Sequence, residues 1–103
     1  MFSAEVQAYR FYFIRRHRYL VFTELSVLIV DKKFRTRRCI STNDVLGVTK
    51  SLLEGVPEFI IHVRSSYDEY LRTERVEHII RRFKLIFAAS QKKNLSIFGV
   101  ETR

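Results

Sequence analysis

The sequence predicts an α+β protein in which seven antiparallel strands form a strongly bent barrel or sandwich, capped by one C-terminal helix. Two observations predict this fold class. Short runs of β-branched and aromatic residues, separated by polar or charged breaks, continue as far as residue 71, which is typical of a meandering sheet. From residue 73 the apolar residues repeat with the period of a helix instead.

Charged or turn-forming segments separate the predicted strands. RRHR at residues 15–18 separates the first two strands, KKFR at 32–35 the third and fourth, and LLEGVP at 52–57 the fifth and sixth. The last segment contains the only proline and one of the three glycines, so it is predicted to be a turn. The predicted strands span residues 6–14, 19–22, 26–31, 36–41, 45–51, 58–63 and 67–71.

One amphipathic helix is predicted after these strands, with Thr73 as its N-cap. Such a continuous apolar stripe is typical of a helix that plugs a core, so we interpret it as structural rather than as a partner-binding face. Leu95 and Ile97 then alternate as a short final strand. The stripe consists of Val76, Ile79, Ile80, Phe83 and Phe87.

The composition favours a single binding domain, residues 1–103, with an anionic partner. Of the 103 residues, 47% are hydrophobic, which is enough for a core. Nineteen lysines and arginines against 11 acidic residues give a formal charge of +8. That charge attracts anionic membranes, acidic protein surfaces and nucleic acid alike. Since no recognition-helix or RNP-like motif is present, nucleic acid is the least favoured partner.

The sequence predicts a cytoplasmic protein that contacts membranes only peripherally. The single cysteine, Cys39, cannot form a disulfide within the chain, and residues 1–5 lack the basic start and apolar run of a signal peptide. No apolar run approaches the roughly 20 residues that span a bilayer, so we expect no transmembrane segment.

No catalytic, metal or cofactor site is predicted. The three histidines have no acidic or cysteine companions at ligand spacing, and the cysteine has no evident His and Asn partners. Asp68 and Glu69 are neighbours in a predicted strand and therefore point to opposite faces, which suits acid–base chemistry poorly. The glycines are isolated, so no glycine-rich phosphate loop is present. We therefore expect a binding module and not an enzyme.

Four segments together carry a family resemblance. RYLVFT at residues 18–23 and VLIVD at 27–31 form a predicted hairpin that opens with a basic residue. ISTNDVLGVTKS at 40–51 and EFIIHV at 58–63, which closes on His-Val, follow it. In order and spacing these segments resemble the tail-homology-1 domain of class I myosins, a branch of the pleckstrin-homology-like superfold. The resemblance covers residues 15–100, including the helix and the final strand.

This resemblance implies peripheral binding of anionic or phosphoinositide membranes through a basic face, as in a myosin I tail. It also implies a location at the membrane or on the cytoskeleton. Lipid-binding relatives hold phosphate at the turn between the first two strands, where three guanidinium groups can match phosphate oxygens. A second basic run, which continues to Arg37 and Arg38, lies in a hairpin expected to open at the same end. The predicted site residues are Arg15, Arg16 and Arg18 as principal contacts and Lys32, Lys33 and Arg35 as helpers.

The chain also departs from the lipid-binding pattern. That pattern has a Lys at the end of the first strand and a basic-x-basic triplet on the second, and only Arg16-His17-Arg18 matches the triplet. Many pleckstrin-homology-like domains bind proteins and no lipid. The alternative function is therefore a protein-interaction or cytoskeletal scaffold module that takes an acidic protein surface as its partner.

Overall fold

Eight strands form one continuous sheet in the computed structural model of the protein, which describes residues 2–10, 14–53 and 55–100. The strands are β1 (Phe2–Arg10), β2 (Ile14–Phe22), β3 (Ser26–Val30), β4 (Thr36–Ser41), β5 (Val45–Ser51), β6 (Glu58–Val63), β7 (Glu69–Arg72) and β8 (Ile97–Val100). Their order is β4-β3-β2-β1-β7-β6-β5-β8, and only β5 and β8 pair in parallel. Since β4 and β8 end the sheet, the described residues form an open sheet and not a closed barrel.

Helix α1 (Val76–Gln91) covers the inner face of this sheet. The predicted apolar stripe is confirmed, because all its members are buried except Val76, which is partly buried. Phe83 is fully buried, and its ring stacks on Phe22 of β2 with the ring centroids 4.6 Å apart. Within the described part of the chain, no helix is long and apolar enough to cross a membrane.

Alternate residues of β1 and β2 build the wall that faces the helix. Ala4, Val6 and Ala8 of β1 are buried, and so are Leu20 and Phe22 of β2. The residues between them point to the outer face, as the period of two in a strand requires. The core thus lies between α1 and one face of a sheet that curves around it.

The first two strands differ from their predicted bounds. β1 ends at Arg10 and β2 already begins at Ile14, so the basic run at residues 15–18 lies within a strand and not in a turn. Residues 11–13, predicted as strand, lie outside the described residues. Long basic side chains are tolerated in β2 because their apolar stems can follow the sheet while the charged ends reach water.

The helix begins at Val76 and is not capped by Thr73, so the predicted N-cap is wrong. Arg75 occupies the N-cap position without a side-chain hydrogen bond. The hydroxyl of Thr73 instead accepts a hydrogen bond from the N–H of Arg75 at 3.2 Å, and the N–H of Thr73 donates to the carbonyl of Pro57 at 2.9 Å. Thr73 therefore fixes the turn that precedes the helix, which delays the first helical residue.

Replacing Phe83 with Ala is expected to lower the free energy of unfolding by about 3–5 kcal/mol, because the change removes buried surface and leaves a cavity against Phe22. Denaturant unfolding measures this quantity. Leu85→Ala is the control, since Leu85 lies on the same helix but is 64% exposed and should change stability by less than about 0.5 kcal/mol. Equal effects of the two changes would contradict the described core.

Candidate anion-binding site

A cavity of about 430 Å³ opens at the end of the sheet that α1 does not cover. The β3–β4 turn (residues 31–35) and the β6–β7 turn (residues 64–68) lie at this end, next to the last residues of β1 and the first of β2. None of the residues that line the cavity comes from α1. The lining consists of Ala8, Tyr9, Arg16, Arg18, Ile29, Arg37, Arg38, Tyr67 and Glu69.

Arg16 and Arg18 reach this cavity because they continue the inner face of β2 beyond the core. Arg18 pairs with buried Val6 and Arg16 with buried Ala8, in the same alternation that buries Leu20. Arg18 is half-buried and Arg16 is exposed at the rim. The strand that supplies core residues near the helix thus supplies guanidinium groups at the open end.

Arg38 and Arg37 approach the cavity from β4. Arg38 is almost buried, with its side chain 11% exposed, and its Nη1 donates a hydrogen bond to Oε1 of Glu69 at 2.8 Å. Its guanidinium carbon also lies 3.6 Å from the centroid of the Tyr67 ring, in cation–π geometry. Arg37 is exposed, and its Nη1 is 3.9 Å from Oδ2 of Asp31, too far for a strong contact.

The cavity therefore concentrates positive charge. Four guanidinium groups against one carboxylate leave a net charge of +3 among the lining residues. A concave wall of one sign raises the local potential, and the planar fork of each guanidinium matches two oxygens of a phosphate. The volume lies in the range of small-molecule sites, about 300–1,000 Å³. The site is thus suited to a small ligand that carries phosphate.

The β3–β4 turn beside the cavity has a fixed shape and an exposed aromatic tip. The Oδ1 of Asp31 accepts hydrogen bonds from the N–H groups of Lys33 and Arg35 at 2.9 and 3.0 Å. Phe34 has a left-handed backbone, with φ of 61°, and its side chain is 78% exposed. Its ring stacks on that of Tyr19 with the centroids 5.9 Å apart. The turn therefore holds an apolar ring outward among basic residues.

The three predicted principal contacts are not on one face. Arg16 and Arg18 line the cavity, whereas Arg15 belongs to the outer face of β2, where its Nη1 lies 3.4 Å from Oε1 of Gln7. The reason is the strand itself, because consecutive residues of a strand point to opposite faces. The predicted tight turn would have displayed all three together.

The three helper residues, Lys32, Lys33 and Arg35, are exposed in the β3–β4 turn at the mouth of the cavity and do not line it. The basic residues that do line it from this hairpin are Arg37 and Arg38. The sequence signal for these two residues was the basic run itself. Strand alternation alone could not show which residues of that run would face the cavity. No sequence signal pointed to Glu69, since a buried carboxylate is recognisable only from its tertiary partners.

Thr49, His62 and Asp68 form a hydrogen-bonded chain on the outer face of the sheet. Nε2 of His62 lies 2.6 Å from Oγ1 of Thr49, and Nδ1 lies 2.9 Å from Oδ2 of Asp68. The order resembles that of a hydrolase triad. However, β5 is paired on both sides at Thr49, with Ile60 and with Phe98, so its backbone N–H groups serve the sheet and not an oxyanion. The chain fastens the β6–β7 turn to β5.

Metal ligation finds no support among residues 2–10, 14–53 and 55–100, where no three His, Cys, Asp or Glu side chains lie close enough to hold an ion. Cys39 is a free, exposed thiol on β4. Asp68 and Glu69 do point to opposite sides, the first to His62 and the second to Arg38.

Comparison with known proteins identifies the fold. No protein-family model matches the sequence, and no curated protein matches it. The pleckstrin-homology domain of human oxysterol-binding-protein-related protein 11 matches the structure with a TM-score of 0.68 at 13% identity, over 92% of this chain and 88% of that one. The N-terminal pleckstrin-homology domain of human ARAP2 matches with 0.66 at 15% identity, over 88% and 79%.

A third solved structure, the Slm1 pleckstrin-homology domain in complex with inositol-4-phosphate, matches with a TM-score of 0.65 at 14% identity. The match covers 87% of this chain and 94% of that one. These likenesses show the fold: the chain has the pleckstrin-homology fold.

Asp31→Asn is expected to reduce the acid sensitivity of folding. The hydrogen bond from the N–H of Arg35, opposed by burial and aided by that of Lys33, holds the pKa of Asp31 below its ordinary value of 3.8. A carboxyl with a lowered folded pKa stabilises the fold above its unfolded pKa, and this contribution is lost as the pH falls through the folded pKa. Asparagine can accept the same hydrogen bonds but does not titrate.

The measurement is the free energy of unfolding between about pH 5 and pH 2, which should fall less in Asp31→Asn than in the wild type. Glu24→Gln, at an exposed residue in the β2–β3 turn, is the control for removal of one carboxylate. If Asp31→Asn and the wild type lose stability in parallel over this interval, the described turn does not hold an ionised Asp31.

Proposed function

We propose that the protein is a non-catalytic module that binds phosphorylated inositol headgroups at the surface of an anionic membrane. The observation that carries this proposal is the convergence of Arg16, Arg18 and Arg37 on one open-ended cavity of about 430 Å³. All three residues are wholly or partly exposed, so a ligand can reach them. The complex of the similar Slm1 domain with inositol-4-phosphate supports the same ligand class for this fold.

The bounds of the first two strands add support. β1 ends on Arg10, a basic residue where the lipid-binding pattern has Lys, and β2 contains Arg16 and Arg18 as the basic-x-basic pair. The pattern that was half complete in the predicted strands therefore has a basic residue at each of its positions, with arginine throughout. Arginine suits phosphate because its fork donates two parallel hydrogen bonds.

The membrane-facing side is the cavity mouth, where the β3–β4 turn forms a basic tip (residues 32–35). Lys32, Lys33 and Arg35 would meet the anionic headgroups, and each basic residue near such a surface contributes about 1 kcal/mol. Phe34 would enter the interfacial layer between them, as exposed aromatic residues do in amphipathic membrane anchors. Tyr67, exposed on the β6–β7 turn across the mouth, is the second aromatic residue at this end.

We also propose that residues 1–103 act as one domain, related to the tail-homology-1 domain of class I myosins, at the cytoplasmic face of a membrane or on the cytoskeleton. The segments that carry this resemblance lie on the β2–β3 hairpin, on the end of β4 with β5, and on β6. These segments form the framework of the sheet, so the resemblance supports a family relationship more than it identifies a ligand.

The alternative proposal, a protein-binding module without a lipid ligand, is favoured by a separate surface. Phe98, Thr49, Ile60 and Tyr70 form one row across the outer face of β8, β5, β6 and β7, since each is the register partner of the next. Phe98 and Tyr70 are exposed. The exposed side chains of this row could contact a partner protein, and the unpaired edge of β8 beside them could pair with a strand of that partner.

Replacing both Arg16 and Arg18 with Ala is expected to weaken binding to vesicles that contain a phosphoinositide by about 30-fold or more, because two basic contacts of about 1 kcal/mol each are lost. Co-sedimentation with such vesicles measures the effect. The matched control is Arg81→Ala with Lys84→Ala, which removes the same charge from exposed positions of α1. Equal weakening by both pairs would mean that only the global charge acts, and no vesicle binding by the wild type would favour the protein-binding alternative.

Phe34→Ala is expected to weaken vesicle binding by about tenfold, since part of an aromatic side chain no longer leaves water. Binding of soluble inositol phosphate should not change, because Phe34 does not line the cavity. Leu25→Ala is the control, as Leu25 is similarly exposed (80% against 78%) but lies in the β2–β3 turn at the other end. If vesicle binding is unchanged in Phe34→Ala, the basic tip does not enter the bilayer.

A further inference from the structure

Among the residues that the structure describes, Glu69 is the only acidic one that lines the arginine cavity. Its side chain points inward from β7, where its backbone pairs with that of buried Ile61, and the residue is only 8% exposed. Oε1 of Glu69 accepts the hydrogen bond from Nη1 of Arg38 at 2.8 Å. A carboxylate therefore stands on the inner wall of the site that would receive phosphate.

Glu69 is the partner of Nη1 of Arg38, but it is not the only partner of this side chain. Nη2 of Arg38 donates to Oγ of Ser66 at 3.2 Å and to the carbonyl of Tyr67, and its guanidinium stacks on the Tyr67 ring. A buried ion pair contributes little net stability because its desolvation offsets its attraction. Burial raises the pKa of Glu69, although the hydrogen bond and charge of Arg38, and the charge of Arg18, act to lower it. An uncharged amide could accept the same hydrogen bond, so the negative charge at this position also bears on what the cavity can bind.

We propose that Glu69 is a specificity-determining residue, an internal counter-ion that occupies one arginine of the cavity and disfavours inositol headgroups bearing several phosphates. This inference rests on the proposed function and names the ligand class of the same site. Arg38 is engaged by Glu69, and Nη1 of Arg18 donates to the carbonyl of His17 at 2.8 Å. Arg16, Arg37 and the other N–H groups of Arg18 remain for the ligand. A single phosphate can bind at the mouth, but each further phosphate that enters more deeply meets the negative charge of Glu69.

The test compares the wild type, Glu69→Gln and Glu24→Gln in calorimetric titrations with inositol monophosphate and inositol trisphosphate at one ionic strength. Glutamine keeps the shape and can still accept from Arg38, whereas Glu24→Gln makes the same change in net charge at the exposed β2–β3 turn. Glu69→Gln should strengthen trisphosphate binding by about tenfold, the scale of one repulsion at close range, and monophosphate binding by less. Glu24→Gln should change both affinities by less than about twofold.

The outcomes separate this inference from the proposed function. If the wild type binds monophosphate but Glu69→Gln changes neither affinity, or strengthens both equally, the function stands and the role of Glu69 is overturned. If no variant binds either ligand, both fail. If only Glu69→Gln binds trisphosphate, the inference is supported. Repeating the pair with vesicles of the mono- and trisphosphorylated lipid distinguishes a lipid headgroup from a free inositol phosphate as the ligand.

Thermal unfolding checks that Glu69→Gln is folded. Should it be destabilised, as loss of one member of a buried pair can cause, the wild-type titrations provide a second test that needs no variant. The wild type should bind trisphosphate no more tightly than monophosphate. A clear preference of the wild type for trisphosphate would overturn the inference.

Discussion

The period of two along β2 is the constraint on which both the stability and the chemistry of this protein depend. Its inner positions carry Phe22 and Leu20 where helix α1 covers the sheet, and Arg18 and Arg16 where the helix no longer does. A shift of one residue in the pairing with β1 would turn all four side chains outward and turn the residues between them inward. One register therefore fixes the core and the arginine cavity together.

The arginines of the cavity wall also require partners or water, because guanidinium groups that approach each other without them repel. Arg38 meets this requirement by contacts within the protein, through Glu69, Ser66 and the Tyr67 ring. Arg16 and Arg37 remain at the rim, where water can solvate them. The site thus combines one arginine that is fixed before a ligand arrives with others that can still exchange water for phosphate oxygens.

Much of the fold was predictable because from residue 26 onward the apolar runs match the strands and the helix closely. The strands at Thr36–Ser41, Val45–Ser51 and Glu58–Val63 have their predicted bounds. The first hairpin was not predictable in the same way, because the charged run at 15–18 reads locally as a break. Its true signal is the alternation of Ala4, Val6 and Ala8, which implies an equally long partner strand. The parallel pairing of β8 with β5 and the burial of Glu69 depend on tertiary contacts that no local pattern encodes.

The pleckstrin-homology fold also separates the part that stabilises this chain from the part proposed to bind. The stacked rings of Phe22 and Phe83 lie at the helix end, whereas the cavity arginines lie at the other end of the same strands. Most of the favourable free energy of folding comes from burial of apolar surface, which is concentrated at the first end. Changes at the exposed rim residues of the cavity, Arg16 and Arg37, should therefore alter ligand choice at little cost to folding. The chain shares this fold with the solved domains at only 13–15% identity, so the framework does not by itself fix what the cavity binds.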